Sequence, residues 1–385
     1  MKILLISNYK RGIGGINAQV DLLHNYLNQE EGIKADIFST KGNPLRRCIA
    51  FFQLLCKARR YDILHIHACS YWGMVSAVLG VIAGKLWRKR IVITYHGGGA
   101  EEYFVKHAAF VRRWLGRADE VIVLSGFLKE IFNHYDIPCQ VIPNIVVLQP
   151  QIERTHDIAP RFISIRHLEP LYNIPCILRA YEQVLKHYPE TTLDILGQGS
   201  QREELEAYVA EHRLTGVTFV GQVPNKQIYD YLTKADIMLS APKIDNMPVS
   251  LLEAMNAGLL VISSRVGGVP YMINDGLGFS GRPSGYGLGF SDAENSAAEN
   301  PASRLNASRL NASSPDGLIA SSPYRPNKAT GLLFESGNAD ELAEKMIWAL
   351  EHPEEVKQII AQAQVDVQKY AWNNVKKELF KTYKS

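Results

Sequence analysis

Apolar and polar residues follow two alternating periods along the first half of the chain, one typical of strands and one of helices. Short apolar runs predict strands at residues 2–7, 34–39, 62–67, 90–95 and 120–124. Apolar residues at helical spacing predict helices at residues 17–28, 46–59, 72–87, 103–115 and 126–134. Strands that alternate with helices in this way predict a parallel sheet covered by helices on both faces.

The same alternation restarts after residues 146–160, which have no sustained period and which we interpret as a linker. Strands are predicted at 161–165, 192–196, 217–220, 236–239 and 259–262, and helices at 174–187, 201–212, 226–233, 251–256 and 340–350. We therefore predict an α/β protein with doubly wound domains at 1–150 and 151–365. Because ligands bind beyond the carboxyl ends of strands in such sheets, we expect the site in a cleft between them.

Residues 277–327 differ in composition from the rest, being rich in Gly, Ser, Asn, Ala and Pro. The pentapeptide Gly-Leu-Gly-Phe-Ser at 276–280 recurs at 287–291, and Arg-Leu-Asn-Ala-Ser at 304–308 recurs at 309–313. So few branched apolar residues cannot bury enough surface to offset the entropy of ordering the chain. The sequence therefore predicts a mobile surface insertion. The pattern after it is helical again, and residues 354–383 predict a helical tail.

Charge is distributed unevenly along the chain, although the formal net charge is only +3. Residues 1–150 hold 19 Lys and Arg against 11 Asp and Glu, whereas the remainder holds 23 against 28. A basic first half suits a phosphate-bearing acceptor or an anionic membrane surface, and an ordinary excess of solvated surface cations explains it equally well. Nothing in the sequence points to nucleic acid as a partner.

The cysteines and the apolar runs bear on the compartment. Five scattered cysteines without metal-ligand spacing predict reduced thiols. The apolar run at residues 3–6 is too short for a signal peptide, and the longest one, at 74–83, is too short to span a bilayer. We expect a cytoplasmic protein, with peripheral contact at the inner face of the plasma membrane as an extension of the basic first half.

Three positions of the first domain are candidate ligand contacts. Gly14 and Gly15 open the first helix, where the backbone can approach an anion, although a tight strand-to-helix turn explains them as well. His96 ends the fourth strand on the ligand-binding rim, or caps that strand. His65 and His67 share one face of a strand, and we interpret them as core or rim residues because no third metal ligand is evident.

The second domain has the stronger candidates. Arg166 closes its first strand, where a guanidinium could hold a diphosphate or form a surface ion pair. The stretch 245–255 joins a strand to a helix, whose first amides could hold phosphate or sugar oxygens. Glu253 could accept two hydrogen bonds from ribose hydroxyls, with Asp245 facing the sugar. Helix capping and a solvated glutamate are the simpler explanation of that pair.

Several motifs together give the sequence a recognisable resemblance. They are Gly14-Gly15, the strand end at His96, Val-Ile-Pro-Asn at 141–144, Leu-Gly-Gln-Gly at 196–199, Phe-Val-Gly at 219–221, Ala-Asp at 235–236, the loop from Asp245 to Glu253, and Val-Gly-Gly-Val-Pro at 266–270. In this combination the chain resembles the retaining glycosyltransferases of family 4. The resemblance runs along nearly the whole chain apart from the insertion, which lies between Asn-Asp-Gly at 274–276 and Thr-Gly-Leu-Leu at 330–333.

The resemblance implies the GT-B fold, with two Rossmann-like domains facing each other across a cleft and a final helix, within 366–385, that returns to the first domain. It implies transfer of a sugar, with retention and without a metal, from a UDP- or GDP-linked donor to a saccharide or lipid-linked acceptor. No cofactor is required. Preorganised cations and helix-start amides would stabilise the departing diphosphate, whose own oxygen takes the acceptor proton. Surface polysaccharide or glycolipid synthesis is the expected setting.

The family's functional positions carry over to this sequence as follows. Catalytic roles fall on His96, Arg166, Asp245 and Glu253. Donor-binding roles fall on Gly14, Gly15, His167, Tyr172, Gly197, Val223, Lys243, Asn246, Met247, Pro248, Val249, Ser250 and Glu253.

Three departures from the family pattern affect these assignments. Asp245 stands where the family usually has a glutamate, and Pro248, which has no N–H, stands where a glycine offers its amide. His167 and Tyr172 occupy the usual arginine and lysine positions of the diphosphate site. Arg166 would then supply the charge, with Lys243 or Arg265 in place of the lysine. Two other functions remain open at this point: another GT-B enzyme such as a sugar-nucleotide epimerase, and an inactive GT-B binding protein.

Overall fold

The first lobe of the protein is built on a six-stranded parallel sheet. The structure, a computed structural model, describes residues 1–10, 15–150, 158–274 and 329–384. The elements of the first lobe are β1 (Lys2–Ser7), α1 (Gly15–Gln29), β2 (Lys34–Ser39), α2 (Pro44–Ala58), β3 (Ile63–Ala68), α3 (Met74–Leu86), β4 (Arg90–Tyr95), α4 (Ala100–Leu115), β5 (Glu120–Val123), α5 (Gly126–His134) and β6 (Gln140–Val141). The strand order is β2-β1-β3-β4-β5-β6. The predicted elements are confirmed to within three residues at each end, and the short β6 is an addition.

The second lobe repeats this architecture with a second parallel sheet, in the order β12-β11-β10-β7-β8-β9. The elements that follow the first lobe in the chain are β7 (Arg161–Ile165), α6 (Ile174–His187), β8 (Thr192–Leu196), α7 (Arg202–Glu211), β9 (Val217–Gly221), α8 (Asn225–Leu232), β10 (Ile237–Ser240), α9 (Val249–Asn256), β11 (Leu260–Ser264), β12 (Leu332–Phe334), α10 (Ala339–Glu351), α11 (Pro353–Asp366) and α12 (Trp372–Lys384). The predicted fold class is confirmed. The insertion predicted at 277–327 and residues 151–157 of the linker lie outside the described residues.

Apolar side chains on both faces of each sheet form the cores. In the first lobe, one face packs under α2, α3, α4 and α5, with Leu54 and Phe104 among the buried residues. The opposite face packs under α1 and α12. Both faces are covered, so the central strands are continuous apolar runs rather than alternating ones, as parallel sheets require. No helix in the described ranges is both long and apolar enough to cross a membrane.

The last helix, α12, packs on the first lobe although it follows the second lobe in the chain. Trp372 stacks on Tyr26 at 5.1 Å between ring centroids, and its indole N–H donates to Glu30 at 2.8 Å. The segment that leads from the second lobe to α12 forms a β-bridge with the segment that leads from the first lobe to the second. There the Val146 N–H donates to the Tyr370 carbonyl at 3.0 Å. The two crossings between lobes therefore lie side by side. The exact domain boundaries, at 150 and 365, stay a prediction.

Candidate functional site

The two lobes meet at the loops that follow the carboxyl ends of their strands. A Cβ built on Gly98, after β4, would lie 3.4 Å from Ile244 and 3.5 Å from the backbone nitrogen of Asn246, after β10. The Ser125 hydroxyl, at the start of α5, donates a hydrogen bond to the Asn246 side-chain carbonyl. The rims of both sheets thus face each other across one cleft, as the strand pattern predicts for doubly wound sheets.

Arg166 lies at the second lobe's rim, directly after β7. Its Nε and Nη2 lie 3.2 and 3.0 Å from the Ser240 hydroxyl at the end of β10, and its Nη1 lies 3.2 Å from the Asp245 carboxylate. Its side chain is only 10% exposed. Burial raises the pKa of Asp245, and the neighbouring guanidinium opposes that shift. The pair is a partly desolvated charge cluster at the cleft rather than a surface ion pair.

Two glycines of the loop after β11 hold the Asp245 loop in place. The Gly268 N–H donates to the Asp245 carbonyl at 3.1 Å. A Cβ on Gly268 would lie 2.0 Å from the Asn246 carbonyl oxygen, and one on Gly267 would lie 2.0 Å from the Asp245 carbonyl oxygen. Gly267 also has a φ of +50°, which residues other than glycine rarely adopt. Close backbone packing therefore fixes the position of the acidic loop.

The start of α9 presents polar groups without protein partners. Pro248 precedes the helix, and its side chain makes no capping hydrogen bond to the first amides. Asn246 Nδ2 and Ser250 Oγ are buried and lack any hydrogen-bond partner among the described residues. Unsatisfied helix-start amides and buried donors favour an anionic or hydroxyl-rich ligand. The missing N–H of Pro248 costs the site little, because the amides of Val249 and Ser250 follow it.

Glu253 lies on the second turn of α9 and is half-buried. No hydrogen bond or ion pair to its carboxylate is present in the part of the chain that the structure describes. Burial raises the pKa of Glu253 to about 7. A desolvated carboxylate with free lone pairs can accept two hydrogen bonds from a vicinal diol. That is the capacity that the sequence predicts for ribose binding.

The diphosphate positions that differ from the family pattern have different surroundings. His167 is exposed, with its Nδ1 3.3 Å from the Gln198 carbonyl, whereas the ring of Tyr172 is half-buried with its centroid 5.7 Å from the Arg166 guanidinium. Lys243 is exposed, two residues before Asp245. Arg265, the other candidate for a second cation, lies 3.6 Å from the Glu335 carboxylate.

Gly197, which directly follows β8, allows the Arg166 segment to pass close by. Its φ is +145°, and a Cβ there would lie 1.9 Å from the Arg166 carbonyl oxygen. Val223, in the loop after β9, is half-buried against the second-lobe core, and Met247 is buried, its carbonyl accepting from Asn144 Nδ2 at 3.0 Å. Gly14 lies outside the described residues. Gly15 begins α1, and no atom of the described residues lies within 4 Å of a Cβ built there, which leaves room for a ligand.

Histidines line the first lobe's side of the cleft. His96 Nε2 lies 2.9 Å from His67 Nδ1, and His67 stacks on His65 at 4.6 Å between ring centroids. His65 in turn contacts the Tyr383 hydroxyl of α12 at 2.7 Å. Burial lowers the pKa of His96 to about 4 and that of His67 well below its usual value. These two imidazoles are therefore neutral at physiological pH.

The partnership of His67 with His96 was not predicted from the sequence. The sequence indicates only that His65 and His67 share a face, because alternation along a strand places both on one side. Their approach to His96 depends on the pairing of β3 with β4, in which His67 lies opposite Thr94. Among the described residues, no group of three or more His, Cys, Asp or Glu side chains could hold a metal ion.

Comparison with known proteins identifies the family. A model of Glycosyltransferase Family 4 matches residues 28–149, and a model of Glycosyl transferases group 1 matches residues 149–300. The chain belongs to the glycosyltransferases of the family 4 type. Its fold is GT-B: the sucrose-phosphate synthase of Thermosynechococcus elongatus superposes with a TM-score of 0.71 at 18% identity, over 100% of this chain and 98% of that one. The predicted resemblance is confirmed.

Curated relatives of the chain match over part of their length. The phosphatidylinositol N-acetylglucosaminyltransferase GPI3 subunit of Saccharomyces cerevisiae is 24% identical over 41% of this chain. The chain spans only 38% of that relative. The D-inositol 3-phosphate glycosyltransferase of Corynebacterium diphtheriae is 22% identical over 57% of this chain and 58% of its own.

Proposed function

We propose that the protein transfers a sugar, with retention and without a metal ion or other cofactor, from a UDP- or GDP-linked donor to a saccharide or lipid-linked acceptor. One observation carries this proposal. A largely buried arginine, two buried polar atoms without described partners and a desolvated carboxylate all lie on the segments that follow β7 and β10, at the second lobe's rim of the cleft. A nucleoside diphosphate has complementary chemistry, with anionic oxygens at one end and a ribose diol at the other.

The proposed donor site assigns one part of the nucleotide to each group. Arg166 and the amides of Val249 and Ser250 bind the diphosphate, with Tyr172 and Lys243 beside it. Glu253 accepts hydrogen bonds from the ribose hydroxyls. The contacts of the Arg166 guanidinium with Ser240 and Asp245 support this arrangement, because they hold it at the rim of the cleft. Charge that develops on the leaving diphosphate meets donors already in position, which is the largest electrostatic contribution that such a site can make.

The transferred sugar lies between the two rims. Asp245 and Asn246 bind it from one lobe, and His96 with Gly15 binds it from the other. In the reaction, the bond from the anomeric carbon to the diphosphate oxygen breaks as a bond to the acceptor oxygen forms on the same face. The acceptor proton passes to the departing diphosphate oxygen. No protein nucleophile is required.

The acceptor is the less constrained substrate. The Saccharomyces relative is named for a phosphatidylinositol acceptor and the Corynebacterium relative for an inositol phosphate. Both names, together with the basic first half of the chain, support a phosphate-bearing or lipid-linked acceptor. We place the reaction in surface polysaccharide or glycolipid synthesis on the cytoplasmic side of the membrane.

The test is to incubate the full chain with a panel of nucleotide sugars, with and without acceptor extracts, and to detect released nucleoside diphosphate. Acceptor-dependent release with chelator present supports the proposal, and nuclear magnetic resonance of the product's anomeric proton reports retention. Conversion of the donor alone into a second nucleotide sugar would instead identify an epimerase. Release from no donor with any acceptor, with UDP and GDP still bound in a thermal-shift assay, would identify an inactive binding protein.

A further inference from the structure

The first turns of α5, in the first lobe, pack against the loop that follows β11 in the second lobe. A Cβ built on Gly126 would lie 2.4 Å from the Tyr271 ring. The Phe127 ring lies 3.5 Å from a Cβ built on Gly267. The Tyr271 hydroxyl also donates to the Glu130 carboxylate at 2.5 Å. Because rings and backbone are in direct contact here, the side chains of the two lobes hold a defined position relative to each other.

A hydrogen bond between Ser125 and Asn246, in the same region, fixes the orientation of the Asn246 amide. The Ser125 hydroxyl caps α5 by accepting from the Leu128 N–H at 3.3 Å, and it donates its own proton to the Asn246 side-chain oxygen. If the amide were turned over, both the Ser125 proton and the Asn246 oxygen would lack a described partner. The observed orientation leaves only Nδ2 without one, so it is the favoured orientation.

Nδ2 of Asn246 is thus a buried donor that lacks an acceptor among the described residues. Asn246 as a whole is only 3% exposed. A buried donor costs free energy unless a ligand supplies the acceptor. Beside it, one oxygen of the Asp245 carboxylate accepts from the Asn246 backbone N–H at 2.8 Å, and the other pairs with Arg166. An amide donor beside a carboxylate acceptor matches a hydroxyl group, which can accept from the one and donate to the other.

We propose that Ser125 is a positioning residue that holds the Asn246 amide so that Nδ2 donates to one hydroxyl oxygen of the transferred sugar, and that this bond selects the donor sugar. Ser125 acts through the amide and does not touch the sugar. Selection therefore requires contact between the lobes at α5, because an Asn246 amide released from Ser125 is free to turn over. The inference rests on the proposed function and names the group through which the first lobe controls the donor site of the second.

Two substitutions of Ser125 and one matched control test this role. Ser125→Gly removes the hydroxyl at little cost to the helix, because glycine is an acceptable N-cap residue. Ser125→Thr keeps both the hydroxyl and the cap. The control, Asn43→Gly, removes the side chain that caps α2 in the same lobe by accepting from the Arg46 N–H at 2.9 Å. Circular dichroism and melting curves check that each variant is folded.

Calorimetry without acceptor measures the affinity of each variant for UDP, for GDP and for a panel of UDP- and GDP-linked sugars. Ser125→Gly should weaken binding of the nucleotide sugar roughly 3- to 10-fold, the contribution of one uncharged hydrogen bond, and leave nucleoside diphosphate binding unchanged. Ser125→Thr and Asn43→Gly should leave both affinities unchanged. A purely structural role of Ser125 would change both affinities together.

Asn246→Ala tests whether Ser125 acts through this amide. It should weaken nucleotide-sugar binding at least as much as Ser125→Gly does, and the double variant should bind no more weakly than Asn246→Ala alone. Deoxy analogues of the bound donor identify the hydroxyl. The analogue that lacks it should bind more weakly than the parent sugar to the wild type, and as well as the parent sugar to Asn246→Ala.

Three results would overturn the proposal. The first is a Ser125→Gly variant that binds the nucleotide sugar as the wild type does. The second is an equal loss of affinity for nucleoside diphosphate, which would assign Nδ2 to a diphosphate oxygen. The third is additive losses in the double variant. Transfer, measured in parallel as release of nucleoside diphosphate, reports the proposed function separately: a wild type that transfers while any of these results holds refutes this inference alone. A wild type that binds no UDP- or GDP-linked sugar refutes both.

Discussion

The two sides of the cleft are made of the same kind of element, the loop after a parallel strand, yet they differ in the side chains that they bring to the candidate site. The second lobe's side brings together a guanidinium, an aspartate and a desolvated glutamate. The first lobe's side presents His96 and glycines, and burial keeps the imidazoles neutral. The difference indicates how one fold divides its tasks: the charged side suits a nucleoside diphosphate, and the neutral side suits sugar hydroxyls.

Loss of the cation should break this division most severely. Arg166→Gln should lower the rate of transfer by about 10²- to 10³-fold, the usual effect of removing one preorganised donor from a developing negative charge. The substitution also leaves Asp245 buried without its partner, so its pKa should rise further. Steady-state transfer kinetics, with calorimetry of nucleoside diphosphate binding, measure both effects.

The control for Arg166 is Arg179→Gln, which removes an exposed cation from α6 of the same lobe. It should leave transfer and binding unchanged. If Arg166→Gln and Arg179→Gln had the same rate, the diphosphate would have to bind elsewhere, and Lys243 would be the next residue to substitute.

Replacement of the Glu253 carboxylate should have a smaller effect than loss of Arg166, and this effect should depend on pH. Above pH 7, Glu253→Gln should weaken nucleotide binding by roughly 10- to 100-fold, because hydrogen bonds to a charged acceptor contribute about 1.5 to 3 kcal/mol. Burial raises the pKa of Glu253 in the folded protein from 4.5 to about 7, so ionisation of this carboxylate destabilises the folded protein without nucleotide. Stability conferred by the protonated form is present below pH 4.5 and lost as the pH rises through about 7.

The glutamine variant, which cannot ionise, should therefore keep its melting temperature across that window better than the wild type does. The difference should correspond to no more than roughly 3 kcal/mol, since one pKa unit is 1.36 kcal/mol. Melting curves in the absence and presence of UDP or GDP at several pH values measure it. Identical pH dependence in the two proteins would mean that Glu253 is solvated and does not face a ligand.

Glycines differ between the two sides as well, and this difference predicts an effect on stability. Gly268 and Gly99 have ordinary φ angles of −84° and −83°. A Cβ on Gly268 meets a backbone oxygen at 2.0 Å, whereas one on Gly99 meets no atom of the described part of the chain within 4 Å. Gly268→Ala should therefore destabilise the fold by about 1 to 3 kcal/mol and weaken nucleotide binding. Gly99→Ala should do neither, and equal melting temperatures for the two would contradict the packing argument.

The sequence predicts the strand ends well and the contacts between them poorly. Arg166 could be assigned to a rim because it follows an apolar run, and the helix after Pro248 because its apolar residues recur at helical spacing. The approach of Arg166 to Asp245 depends instead on β10 lying beside β7, and of His67 to His96 on the register of β3 with β4. Such pairings join residues far apart in the chain, and periodicity contains no information about them.

Helix α2 illustrates another limit of prediction from sequence, because it carries one buried apolar stripe and a second, exposed one formed by Leu45, Ile49 and Phe52. Helical spacing predicts a helix near residues 46–59, and α2 spans Pro44–Ala58. The residues of both stripes have the same period, so the pattern alone does not distinguish the buried Leu54 from the exposed Phe52. Only the position of the sheet decides which stripe becomes core.

The neutral side should give the smallest effect on donor binding. His96→Gln keeps a hydrogen-bonding group, so it should leave nucleoside diphosphate affinity unchanged and lower kcat roughly 3- to 10-fold, the contribution of one uncharged hydrogen bond. Burial lowers the pKa of His96 from 6.5 to about 4, so the wild-type protein loses stability as the pH falls through that range. The glutamine variant should lose less stability over the same range. The dependence of kcat on pH at the acid end of the profile should be the same in both proteins, since His96 stays neutral. A variant that lost nucleotide affinity instead would show that the first lobe also holds the diphosphate, and the division between the two rims would be wrong.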